Sequence, residues 1–125
     1  MPLHYERDDR RRRIVVTTTG IVTLSDVLAI VDRQAGEGAW PYGVLHDART
    51  SDDVPSTTDL VTLVRHVGTL TTRHGPRGPV AFVVAQSALA RMGRRYASLG
   101  ELTSLHVNVF TTIEDAERWL DSRQA

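Results

Sequence analysis

Apolar positions repeat along this chain with two spacings, one typical of strands and one typical of helices. Residues 3–7 and 13–18 are short, alternating or β-branched segments, and Asp8-Asp9-Arg10 between them can turn the chain. They predict an opening β-hairpin. Further strands are predicted at Tyr42–Asp47, Val80–Ala85 and Leu105–Phe110.

Four other segments place apolar residues three or four positions apart, which predicts amphipathic helices. The first runs from Leu24 to Ala35, with cap chemistry at Ser25 and Asp26, and the second from about Thr57 to His74. A third is expected after a cap at Ser87, and a last one after Thr112.

The resulting order is β-β-α-β-α-β-α-β-α, which predicts an α/β fold with a mixed sheet of five strands and four helices. Strands separated by helices should pair in parallel through right-handed crossovers. The continuous apolar run Val80–Ala85 is typical of a strand covered on both faces in the middle of a sheet. Leu105–Phe110 alternates, which favours a position nearer the sheet edge.

Composition limits the classes of function. A length of 125 residues predicts one domain, residues 1–125. The 15 basic and 15 acidic residues give a net charge of zero, which argues against a general nucleic-acid binder. Cysteine is absent, no apolar run reaches the roughly 20 residues of a membrane span, and the start lacks a signal-peptide core. A cytoplasmic location is therefore expected.

No complete catalytic or metal-binding set is evident. The five histidines lack convergent partners at ligand spacing, and a His46–Asp47 dyad is geometrically poor because neighbouring strand residues point to opposite faces. The glycine-rich stretch 75–79 precedes a strand, whereas a phosphate loop precedes a helix, so it is interpreted as a turn. We expect no enzyme activity, no cofactor and no metal.

Several stretches resemble the SpoIIAA-like family of the STAS superfamily. The resemblance is carried by Gly38–Arg49, Arg73–Ala81, Met92–Tyr96, Val107–Phe110 and Glu114–Leu120, and it extends over nearly the whole chain. It implies a small βα module without a cofactor. Some STAS domains antagonise anti-sigma factors under control of phosphorylation, and others are regulatory tails of anion transporters. Dimerisation, an apolar cavity and membrane association have been proposed for the SpoIIAA-like branch.

The resemblance implies a non-enzymatic regulatory or ligand-binding module that forms a homodimer. An apolar or amphipathic ligand, such as a lipid, would lie between the second and third helices and the sheet. The predicted ligand-binding residues are Leu63, Val67, Met92 and Tyr96, with Asp47 and Arg49 as polar contacts at the mouth. Asp47 and Arg49 could equally be loop residues that hydrogen-bond the turn.

An alternative function is a phosphoswitch of the anti-sigma-antagonist type. Asp47 matches the strand-ending aspartate of those antagonists, and Ser56 or Thr57 approximately matches the phosphorylated serine. The antagonist pattern is Asp-Ser-Ser-Gly, whereas this chain has Pro55-Ser56-Thr57-Thr58, and a simple helix cap also explains the hydroxyls.

Peripheral membrane contact is a further alternative, through the arginines interleaved with apolar residues on the third helix, Arg91, Arg94 and Arg95. An ordinary packed helix with a solvated basic face explains the same pattern.

Overall fold

The computed structural model describes residues 3–52, 54–101 and 105–124, which form one five-stranded mixed sheet with helices on both faces. The elements are β1 Leu3–Asp8, β2 Arg13–Gly20, α1 Leu24–Gly36, β3 Gly43–Ser51, α2 Thr57–His74, β4 Val80–Val83, α3 Ser87–Gly100, β5 Val107–Phe110 and α4 Ile113–Gln124. The predicted order and the α/β class are confirmed.

The strands lie side by side in chain order, β1-β2-β3-β4-β5. β1 and β2 form the predicted antiparallel hairpin, and every later pairing is parallel. β4 lies between β3 and β5, and its Ala81 and Val83 are fully buried, so the prediction of a covered interior strand is confirmed. β5 occupies the sheet edge, as its alternating pattern predicted.

Several boundaries differ from the sequence prediction. β4 ends at Val83 instead of Ala85, β5 begins at Val107 instead of Leu105, and Thr23 occupies the cap position of α1 instead of Ser25 or Asp26. β3 continues to Ser51 instead of ending at Asp47, because its last residues pair with the end of β2 beyond an irregularity near Thr19. Ser87 is the first residue of α3 instead of its cap; Gln86 occupies the cap position without a side-chain cap hydrogen bond.

Side chains that alternate along the strands divide the core into two parts. On one face, Val16, Val44 and Val80 join a core cluster that also contains residues of α1 and α2. On the other face, strand residues including Leu45 pack against Leu120 and its neighbours on α4. The sheet is therefore the middle layer of three, with α1, α2 and α3 on one face and α4 on the other.

Candidate ligand-binding site

A cavity of about 530 Å³ lies between the sheet and helices α1, α2 and α3, and we call it the central cavity. Its walls are largely apolar and come from the strands and from all three helices; they include Val16, Val44, Phe82, Val27, Leu63 and Met92. The volume is within the range of about 300–1,000 Å³ that is usual for small-molecule sites. The fold thus leaves space for a ligand between the sheet and the three helices, open in part to solvent.

The two ends of the central cavity differ in exposure. Ile21 and Val54 line it beyond the carboxyl ends of β2 and β3, and they are 70% and 39% exposed. Arg77 lines it just before β4, at the opposite end of the parallel strands, and is only 9% exposed. Val44 and Ser51, near the two ends of β3, also line the cavity, and at about 3.3 Å per residue the strand between them spans at most roughly 23 Å. We call these the outer and inner ends.

Neutral groups hold the Arg77 side chain at the inner end. Its Nε and Nη2 atoms donate to Oε1 of Gln34 at 3.2 and 2.9 Å, and the Tyr96 hydroxyl lies close by. The guanidinium lies over the Trp40 ring, 5.1 Å from its centroid. Gln34 is itself fixed, because its amide nitrogen donates to the carbonyl of Ala39 at 3.0 Å. The guanidinium is therefore oriented without help from a carboxylate.

The positive charge of Arg77 has no acidic counterpart within the described part of the chain. None of the ion pairs formed by residues 3–52, 54–101 and 105–124 includes it. Burial lowers the pKa of the Arg77 guanidinium, while the neighbouring Tyr96 raises it. Arginine nevertheless stays protonated in proteins, so a buried positive charge remains at the inner end.

His46 contributes a second polar group to the central cavity. Its ring lines the cavity from the middle of β3 and contacts the Phe82 ring edge-on, with centroids 5.1 Å apart. Its Nε2 atom is buried and has no hydrogen-bond partner among the described residues. Burial, with a smaller contribution from Arg77, lowers the pKa of His46 to about 4, and Asp47 opposes this shift. The imidazole is therefore neutral at pH 7 and can donate one hydrogen bond and accept another.

The structure brings part of the predicted ligand-binding set together. Leu63, Met92 and Tyr96 line the central cavity. Val67 does not line it, because its side chain is fully buried in the core cluster on that face of the sheet. Whether the three lining residues bind a ligand stays a prediction.

Asp47 and Arg49 are not positioned as polar contacts at the cavity mouth. Neither lines the central cavity, and Asp47 follows His46 on β3, so its side chain points to the opposite face of the sheet. Arg49 Nε and Nη2 each donate to the Asp47 carboxylate at 2.9 Å, and this guanidinium lowers the pKa of Asp47. The backbone nitrogen of Arg49 also donates to Asp47 at 3.2 Å, as expected for the alternative role in the turn.

The two candidate phosphorylation sites are both exposed at the start of α2 but make different contacts. Ser56 is the helix cap, and its Oγ accepts from the backbone nitrogen of Asp59 at 3.1 Å. Ser56 also lines the outer end of the central cavity. The Oγ1 atom of Thr57 accepts from Nη1 of Arg95 at 3.0 Å.

Sequence reasoning missed several polar residues that line the cavity, among them Arg77 and His46. His46 had a usable signal, since it alternates with Val44 and Ala48 and so shares their buried face. Arg77 had none, because it lies in a glycine- and proline-rich turn and its partner Gln34 is 43 positions away. Its burial is a property of the folded chain alone.

Within the described ranges, no group of three or more histidine, cysteine, aspartate or glutamate side chains is placed to hold a metal ion. The helices in those ranges are too short or too polar to cross a bilayer.

Comparison with solved structures identifies the fold. The chain is similar to an uncharacterised protein of the DUF3478 family from Shewanella loihica PV-4 that has a SpoIIAA-like fold. The TM-score is 0.58 at 17% sequence identity, with 94% of this chain and 91% of that chain covered. No protein-family model and no curated protein matches the sequence.

The fold is therefore SpoIIAA-like, as the sequence resemblance implied. At this low sequence identity the similarity establishes the fold and carries no information about a ligand.

Proposed function

We propose that this protein is a non-enzymatic binding module that holds an apolar or amphipathic small molecule in the central cavity. The observation that carries the proposal is a space of about 530 Å³ with largely apolar walls inside a small α/β fold. Protein interiors are normally close-packed, and an empty apolar cavity forfeits packing contacts. A ligand that fills the cavity would restore those contacts, and it would enter at the exposed outer end.

Membrane contact through α3 fits this arrangement less well. Leu89, Met92 and Tyr96 of α3 line the central cavity, whereas Arg91 and Arg95 are exposed. The apolar residues of the helix cannot face the cavity and a bilayer together unless the helix moves away from the sheet. Homodimer formation and a cytoplasmic location also stay predictions.

Native mass spectrometry of freshly purified protein tests the proposal first, because it reports a bound small molecule and the oligomeric state together. A second measurement titrates the protein with an uncharged, environment-sensitive apolar dye. We expect the wild type to bind the dye saturably. The Leu63→Trp variant, which places a larger side chain in the cavity, should bind the dye at least tenfold more weakly.

The matched control is Val61→Trp, two positions earlier on α2. Val61 is 39% exposed and does not line the central cavity, so this variant should bind the dye like the wild type. Circular dichroism and thermal melting check that both variants fold. Equal dye affinity in folded Leu63→Trp and wild-type protein would contradict binding in the cavity.

The phosphoswitch is a second candidate, favoured by one contact. Arg95 already donates to the hydroxyl of Thr57, and Arg91 lies with both in a shallow depression at the start of α2. Arginines in this position would stabilise a phosphate on the helix N-terminus. Incorporation of phosphate by a cognate kinase, lost in the Ser56→Ala, Thr57→Ala double variant, would support a switch. No incorporation with the host's anti-sigma kinases would count against it.

A further inference from the structure

The polar groups at the inner end of the central cavity specify more than an apolar ligand. Arg77 and Tyr96 line the central cavity at its inner end, and His46 lines it from the middle of β3. Ser56 and Asp59 line it at the start of α2, and the remaining walls are largely apolar. From this juxtaposition we infer that the ligand is an amphipathic monocarboxylate, with its carboxylate on Arg77 and its apolar body extending toward the outer end. The inference rests on the proposed function and adds the chemical class of the ligand.

Charge balance is the first argument. Arg77 is 9% exposed, and no acidic residue of the described chain pairs with it. A buried charge is costly unless an opposite charge and hydrogen bonds compensate it. Tyr96 and His46 are neutral at pH 7, since burial raises the pKa of the one and lowers that of the other. The inner end therefore carries a single positive charge, which one monoanion neutralises.

Hydrogen-bonding capacity is the second argument. The two bonds to Gln34 use Nε and one N–H of Nη2, and beyond the neighbouring Tyr96 hydroxyl the remaining N–H groups of Arg77 have no acceptor in the described chain. The Tyr96 hydroxyl lies beside Arg77, and no acceptor for its proton is found among the described residues. A planar guanidinium with adjacent free donors matches the two oxygens of a carboxylate.

Alternative head groups fit less well. An alcohol would leave the charge of Arg77 uncompensated, and a phosphate near pH 7 would bury an excess negative charge beside it. A cationic head group would be repelled. The ligand body has room along β3, where residues from Val44 to Ser51, at most roughly 23 Å of strand, line the cavity.

The first test uses wild-type protein and three probes with the same alkyl chain: dodecanoate, dodecan-1-ol and dodecyltrimethylammonium. Each competes with the apolar dye below its aggregation concentration at pH 7.5. We expect dodecanoate to bind at least tenfold more tightly than the alcohol, the size of a charge-assisted hydrogen bond, and the cation to bind most weakly. This comparison needs no variant and so does not depend on the folding of one.

The second test removes the charge with Arg77→Met and keeps it with Arg77→Lys. The Met variant should lose the preference for the acid over the alcohol while its affinity for the alcohol is retained. The Lys variant should keep most of the preference, because a cation remains. Tyr96→Phe, which deletes only a hydroxyl, should reduce the preference by a few-fold.

The outcomes separate the two proposals. Equal wild-type affinity for dodecanoate and dodecan-1-ol overturns the head-group assignment but leaves the cavity as an apolar binding site. No saturable dye binding, together with no bound small molecule in native mass spectrometry, overturns the proposed function itself. Dye binding that neither probe displaces overturns the head-group assignment. If Arg77→Met does not fold, the wild-type comparison and Tyr96→Phe still decide the assignment.

Discussion

Among the described residues two arginines are buried, and the chain satisfies their charges in different ways. Arg13 is 4% exposed on the face covered by α4, where its Nη2 donates to Asp121 at 2.8 Å and to Gln124 at 2.9 Å. Arg77 is 9% exposed on the opposite face, where it donates to the amide of Gln34 and lies beside the hydroxyl of Tyr96. The chain itself supplies a carboxylate for Arg13 and none of the described residues supplies one for Arg77.

The two faces of the sheet also differ in how closely their side chains pack. On the α4 face, Ala81, Ala116 and Leu120 are fully buried in a single hydrophobic cluster. On the other face, the helices leave the central cavity open between themselves and the sheet. Among the described residues, the α4 face pairs its buried arginine with a carboxylate, whereas the other face borders the central cavity and leaves Arg77 without an acidic partner. We expect function on the face that borders the cavity.

The largest expected effect comes from a leucine-to-alanine substitution made on each face of the sheet in turn. Leu120→Ala should lower the free energy of unfolding by about 4 kcal/mol, because Leu120 is fully buried and its removal creates a new cavity. Leu63→Ala should cost about 1 kcal/mol, because that side chain already borders empty space and loses fewer contacts. Urea denaturation monitored by circular dichroism measures both values.

A bound ligand sharpens this comparison. Saturating dodecanoate should increase the cost of Leu63→Ala, since the leucine then contacts the ligand, and leave the cost of Leu120→Ala nearly unchanged. Equal costs for the two variants without ligand would show that α2 packs on the sheet as tightly as α4 does.

The next effect concerns pH. The pKa of His46 is about 4 in the folded protein and about 6.5 when unfolded, so protonation favours the unfolded chain. The contribution of neutral His46 to the free energy of unfolding is fully present above pH 6.5. It is lost as the pH falls toward 4, and the total loss is on the order of 3 kcal/mol. Urea midpoints between pH 7.5 and 4 for the wild type and for His46→Leu measure the difference.

Other titrating groups are shared by the two proteins in this test. Arg77, Tyr96 and Asp59 line the same cavity, and Asp47 adjoins His46 on β3. Arg49 lowers the pKa of the Asp47 carboxyl, so protonation of Asp47 also destabilises the folded protein on acidification. This effect is the same in the wild type and in His46→Leu. Only the difference between the two curves reports His46. Parallel curves for the wild type and His46→Leu would contradict burial of the imidazole.

The fold could be predicted from the sequence because each element has a local signal. The apolar periodicity of α2 and the continuous run at β4 follow from burial that every helix or strand of that kind requires. The end of β3 could not be predicted, because its last residues are held by pairing with β2 and not by their own pattern.

The binding site could be predicted only where it overlaps the helix stripes. Leu63, Met92 and Tyr96 line the cavity because the residues that face a sheet also face any space left between helix and sheet. Val67, one turn along α2 from Leu63, shares the stripe but packs in the core, so the pattern cannot say where packing ends and a cavity begins. Arg77 is brought to the site by long-range contacts that leave no local signal.

The smallest expected effect concerns Arg13, the buried arginine that is paired with a carboxylate. Asp121→Asn should lower the free energy of unfolding by about 1 kcal/mol, because Arg13 loses its charged partner although Asp121 itself is largely exposed. The matched control on the same helix is Asp115→Asn, which removes an exposed pair with Arg118 and should cost no more than about 0.5 kcal/mol. Urea denaturation at low and high salt measures both, and the effect of Asp121→Asn should shrink with salt. Since α4 lies across the sheet from the central cavity, neither change should alter dodecanoate affinity. A loss of that affinity in Asp121→Asn would mean that the two faces are coupled and that the charge of Arg77 is not compensated independently of α4.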